Sequence, residues 1–136
     1  MSMKWDPDKM STGLRVVDGE HQEWIRRYNE FDTAVGEGQG LSQIQHLLDF
    51  MSEYSDSHFV HEEMLAEVEG DAQAIEVNRS EHKKFRQNLR EMKKWVAENG
   101  ASSVEVMNLR IDLEEWIIHH ICEVDTKIWA DLKKQV

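Results

Sequence analysis

Residues 44 to 65 read IQHLLDFMSEYSDSHFVHEEML, and the fold follows from where their apolar side chains fall. Ile44, Leu47, Leu48, Met51 and Tyr54 recur at the three- and four-residue intervals of one α-helical face. The same stripe continues through His58, Glu62 and Leu65. One imidazole and one carboxylate, four residues apart, therefore stand in line with core residues on one side of a helix.

The flanking stretches repeat the pattern. Upstream, His21, Trp24, Ile25, Tyr28, Phe31 and Val35 form a stripe that opens on a histidine. Downstream, Ile75, Asn78, His82, Phe85, Leu89, Met92 and Val96 set Asn78 and His82 one turn apart on the apolar side. A fourth stripe, Leu109, Leu113, Trp116, Ile117, His120 and Val124, is followed by Asp125, which Ile121 and Ile128 flank at i−4 and i+3. Residues five apart are about 140° apart around a regular helix. His120 and Asp125 can both face inward only across a wide buried stripe or through a local π-type turn.

Gly36, Gly38 and Gly40, then Gly70-Asp71, then Asn99-Gly100 separate the four segments. Asp18 is placed to cap the first. Ser42 with Gln45, and Ser102 with Glu105, have the capping-box spacing at the second and fourth starts. Gly100 has the place of a left-handed stop. Short connections between four long amphipathic helices predict an all-α fold, an antiparallel up-down-up-down four-helix bundle over residues 18–136. Residues 1–17 show no periodicity and are expected to cross the bundle as an irregular N-terminal arm with Trp5 as its anchor. The whole chain, residues 1–136, reads as a single domain. Neither an internal repeat nor a low-complexity tract interrupts it.

Charge narrows the partners. With 27 acidic and 16 basic residues the net charge is −11, and no basic block exceeds a pair, which disfavours nucleic acid and acidic membranes. The longest clean apolar run, Trp116-Ile117-Ile118, is far too short to cross a bilayer, and the opening residues lack an apolar leader. Cys122 is the sole cysteine, so no internal disulfide forms and a reducing cytoplasm is the expected location.

The inward polar residues point to metal. A lone histidine on an apolar face is more often a hydrogen-bonded core residue than a ligand. Four stripes that each present a histidine, two of them with a carboxylate as well, are another matter, because an uncompensated buried carboxylate is costly. Imidazole and carboxylate without thiolate suit a borderline metal such as iron, and carboxylates can bridge two ions. Cores of helical bundles are where such two-metal sites are built.

The motifs then resemble a known family. Trp5-Asp6-Pro7, with the run from Thr12 through Asp18-Gly19-Glu20-His21, is similar to the opening segment of hemerythrins, and of bacteriohemerythrins in particular. His58-Phe59-Val60-His61-Glu62-Glu63-Met64 resembles the family's second-helix motif. His82-Lys83-Lys84-Phe85 resembles the end of its third, and Trp116-Ile117-Ile118-His119-His120-Ile121 with Asp125 its fourth. The resemblance runs from Trp5 to Asp125. It implies two iron ions, oxo or hydroxo bridged, with His21 and His58 on one iron and His82 and His120 on the other. Glu62 and Asp125 would bridge them.

One position departs from the pattern. The family's third helix offers two histidines four residues apart, and here the first is Asn78. A neutral amide oxygen is a poorer iron ligand than imidazole, so the resemblance implies a second iron held less tightly or carrying water. His61 is a conceivable substitute from the core edge, although a surface role suits it better; His46 and His119 read as solvated. The expected function is that of a non-haem di-iron protein binding O2, as carrier, store or scavenger, with a possible redox partner. The alternatives are a di-iron peroxidase or nitric oxide reductase, and a non-catalytic metal-handling or interaction bundle.

Overall fold

The computed structural model describes residues 3–69 and 72–126, and all their regular secondary structure is helical. In order come α1 (Pro7–Met10), α2 (Arg15–Gly36), α3 (Leu41–Glu69), α4 (Ala72–Asn99) and α5 (Val104–His119). The last runs straight on into a π-helical turn, His120–Asp125.

Helix starts differ from the expected ones by small but explicable amounts. Leu14 holds the N-cap of α2 and gives no side-chain cap, so Asp18 sits inside the first turn instead of before it. From there Asp18 reaches back to the arm. Its Oδ1 accepts the Thr12 backbone N–H and the Thr12 hydroxyl, each at 2.7 Å, and its Oδ2 accepts the Ser11 hydroxyl at 2.8 Å. Ser42 likewise lies within the first turn of α3. Ser103, not Ser102, caps α5, its Oγ accepting the Val106 N–H at 3.2 Å. Gly100, at φ 77°, ends α4 as a left-handed stop, its N–H donating to Val96 O. Gly70-Asp71 and Ile128 lie outside the described residues.

The arm is less irregular than the sequence suggests. Asp6 caps α1 by accepting the Asp8 N–H, and Pro7 at the first helical position costs no hydrogen bond there. Met3 and Met10 are buried, with Trp5 packed half-buried against the same core. The Asn29 amide pins the arm by donating to Met3 O and accepting from Met3 N.

Helix α2 packs on α3, α3 on α4, and α4 on α5, while α1 rests on the π turn. Hydrogen bonds link α5 back to α2, with the Tyr28 hydroxyl donating to Arg110 O and Arg110 Nε to Asp32 Oδ1. The stripes largely coincide with the buried faces. Leu65 is the exception, being exposed while Ala66 is buried. From Ile44 the buried track of α3 passes through Leu48, Met51, Ser55, His58 and Glu62 to Ala66, a drift set by 3.6 residues per turn. Ser55 earns its buried place by accepting the Trp24 indole N–H at 2.9 Å and donating to Met51 O at 2.7 Å. No described helix is long and apolar enough to cross a membrane.

Candidate metal centre

The π turn answers the geometric difficulty at the end of α5. An i→i+5 turn adds a residue per turn, so His120 and Asp125 fall on one side of the helix. Both are fully buried, and His120 Nε2 lies 3.1 Å from Asp125 Oδ2.

Glu62 stands at the middle of the cluster, with its two oxygens divided between two pairs of histidines. Oε1 is 3.1 Å from His21 Nε2 and 2.6 Å from His58 Nε2. Oε2 is 3.0 Å from His82 Nε2 and 3.3 Å from His120 Nε2. Asp125 spans the same divide, its Oδ2 lying 2.8 Å from His21 Nε2 as well as beside His120. Two groups of potential ligand atoms result: His21, His58, Glu62 and Asp125, and then Glu62, His82 and His120. All six predicted site residues are thus brought together, every one of them buried.

The remaining two candidates behave differently. Asn78 is fully buried one turn before His82, yet neither its Oδ1 nor its Nδ2 has a hydrogen-bond partner. His61 is exposed and stands outside both ligand groups. His46 and His119 are exposed, as expected.

Sequence reasoning missed Glu20. Its Oε2 accepts from His58 Nδ1 and its Oε1 from His61 Nδ1, both at 2.7 Å. No helical period relates residue 20 to residue 58, so the pairing emerges only when α2 meets α3. It also missed how the ligand rings are held. Phe59 stacks on His82 at 3.9 Å between centroids, and Trp116 on His120 at 4.7 Å. Trp24 lies beneath, its ring 5.2 to 6.0 Å from those of His58, Phe59, Phe85, Trp116 and His120. The aromatic side chains of four helices thereby close one end of the cluster to water.

Electrostatics show a region that draws positive charge. Burial alone would lift the Glu62 carboxyl, but the facing charge of His58 and its other polar neighbours hold it well below the usual range. Burial also opposes protonation of the histidines. The charges of Glu62 and Asp125 overcome that opposition and push His58 up to about 9 and His120 to about 10. Hydrogen bonds to Asp125 and Glu62 raise His21 against its own burial, whereas burial keeps His82 low.

Hydrogen bonds join His21, His82 and His120 to the two carboxylates, yet they leave buried polar atoms of the donor set unsatisfied, as a site shaped for cations would. With its Nδ1 engaged by Glu20, His58 presents Nε2 to Glu62 Oε1 at 2.6 Å, and that contact lacks the geometry of a hydrogen bond. Asp125 Oδ1 is buried without a hydrogen-bond partner. Two donors bound at right angles to one ion, at roughly 2.1 Å each, stand about 3 Å apart, which is the spacing found throughout the cluster. The sequence also matches the family model described as the hemerythrin HHE cation binding domain, over residues 12–130.

The chain belongs to the hemerythrin family. Membership implies cation binding, and the two buried groups are where this hemerythrin domain gathers imidazoles and carboxylates. No curated protein matches the chain.

Proposed function

We propose that the chain is a non-haem di-iron protein that binds O2 or a related small ligand, serving as a carrier, store or scavenger. In this reading it is a single domain, an antiparallel up-down-up-down four-helix bundle, with the N-terminal arm laid across it. His21 and His58 hold one iron, His82 and His120 the other, and Glu62 and Asp125 bridge the pair with a solvent-derived oxygen. A reducing cytoplasm suits a chain whose sole cysteine is Cys122.

The observation that carries this reading is the division of the Glu62 oxygens between two histidine pairs. A carboxylate that serves one ion has no need of imidazoles around both oxygens. Bound there, ferrous ions supply electrons to a small ligand such as O2. The chain's own residues supply position and dryness: Glu20 fixes the ring of His58, the stacked Phe59 and Trp116 fix those of His82 and His120, and Trp24 excludes water from below.

A second reading, a di-iron peroxidase or nitric oxide reductase, is favoured by Asn78, whose unpartnered amide stands where the family's pattern has a histidine. One set of measurements separates the two. Protein purified from iron-supplemented cells is expected to carry about two irons per chain and to show ligand-to-ferric charge-transfer bands in air. A persistent oxygenated spectrum supports the carrier, and turnover of hydrogen peroxide or nitric oxide well above free iron supports the enzyme. Protein that retains no iron overturns both.

A further inference from the structure

We propose that Glu63 is a positioning residue of the centre: its carboxylate takes the outer nitrogen of His82 and fixes the ring, so that the inner nitrogen is presented to a cation. The inference rests on the two-metal reading above and deepens it.

Three residues of α3 surround this one imidazole of α4. Phe59 lies flat against its face, with 3.9 Å between ring centroids and 11° between planes. Glu62 sets Oε2 3.0 Å from Nε2 on the inner edge, and Glu63 sets Oε1 3.7 Å from Nδ1 on the outer edge. The helix explains this division. Neighbouring residues point about 100° apart, so Glu63 turns to the side when Glu62 turns inward. Residues four apart share a face, which puts the Glu63 carboxylate and the Phe59 ring together on the side of α3 that meets His82.

The chemistry of the ring decides what Glu63 does there. His82 is fully buried, and its Nδ1 has no hydrogen-bond partner. A neutral imidazole carries one lone pair and one N–H. A ring that gives the Nε2 lone pair to a cation holds its proton on Nδ1, where a buried N–H without an acceptor is costly. The 3.7 Å gap is too long for a hydrogen bond, but a shift of about 1 Å closes it. Glu63 is the partner free to make that shift, since its side chain is 21% exposed while the ring is buried under Phe59. His58 shows the closed form of the same contact, its Nδ1 meeting Glu20 at 2.7 Å. A carboxylate so placed fixes the tautomer and makes Nε2 a stronger donor.

The test is nuclear magnetic resonance of the chain carrying isotope-labelled histidine, as metal-free protein is titrated with Zn(II), a diamagnetic stand-in for ferrous iron. In the native chain His82 should bind zinc through Nε2 and show a slowly exchanging Nδ1–H shifted downfield by the carboxylate. In Glu63→Gln that proton should move upfield and exchange faster, and zinc binding at His82 should weaken by roughly 10- to 100-fold, with helix content unchanged by circular dichroism. Glu67→Gln removes the same charge one turn further on, from an exposed carboxylate paired with Arg79, and should alter neither property. Equal effects in the two variants would overturn the proposal by showing that Glu63 acts through net charge alone, and so would an Nδ1–H unmoved by Glu63→Gln. If Glu63→Gln proves unfolded, the native chain decides: a rapidly exchanging Nδ1–H on the zinc-bound ring would overturn the proposal. All these results leave the two-metal reading intact. A His82 ring that never takes zinc, or a native chain that binds fewer than two ions, would overturn that reading as well.

Discussion

Glu20 Oε2 lies 2.7 Å from His58 Nδ1, on the ring edge opposite the nitrogen that faces Glu62. A carboxylate on the far nitrogen of a metal-binding imidazole fixes the tautomer and makes the near nitrogen a better donor. Glu20→Gln keeps the size and one acceptor but removes the charge. It should weaken cation binding in the His21/His58 half by roughly 10- to 100-fold, measured by metal titration, with helix content unchanged. His61→Ala, which removes the other partner of Glu20, should leave binding intact. Equal losses in the two variants would show that the pair acts merely by tying α2 to α3.

The central carboxylate is tested by Glu62→Gln. An amide presents one oxygen where the carboxylate presents two, so it cannot serve both histidine pairs. Bound metal should fall from about two ions per chain to about one or fewer, by elemental analysis. Full retention would place the bridge elsewhere.

Ser55→Ala probes packing beneath the site. It strands the buried Trp24 indole N–H, which Ser55 Oγ accepts at 2.9 Å. The expected loss is about 1–3 kcal/mol by denaturant unfolding. A change near zero would mean that a water enters to replace the hydroxyl.

The arm should respond to acid. Burial alone would raise the Asp18 carboxyl, but the Thr12 N–H and hydroxyl and the Ser11 hydroxyl together bring it below its ordinary 3.8. A carboxyl lowered by folding stabilises above its unfolded value and loses that stabilisation as pH falls through the folded one. The link between arm and α2 should therefore hold at pH values above about 4 and release below that, as accelerated hydrogen exchange at the Thr12 amide. Asp18→Asn should show the faster exchange at neutral pH too, and unchanged exchange in that variant would refute the assignment.

Much of this arrangement was legible in the sequence because helical periodicity exposes which residues share a face. The stripes through His21, His58, His82 and His120 needed only that, and the i+5 separation of His120 and Asp125 left a wide buried stripe or a π turn, of which the structure has the π turn. What stayed hidden depends on contacts between helices. Glu20 lies next to a stripe without belonging to it, and the stacking of Phe59 on His82 joins α3 to α4. Leu65 and the start of α5 were misplaced by a single residue. A pattern of threes and fours cannot fix the phase of a helix as long as α3, nor choose between Ser102 and Ser103 as a cap.

Anomalous diffraction at the iron edge, from crystals of the chain loaded with ferrous iron, tests the central claim most directly. Two peaks are expected, roughly 3.5–4 Å apart, one on each side of the Glu62 carboxylate. A single peak, or peaks away from Glu62, would contradict the account.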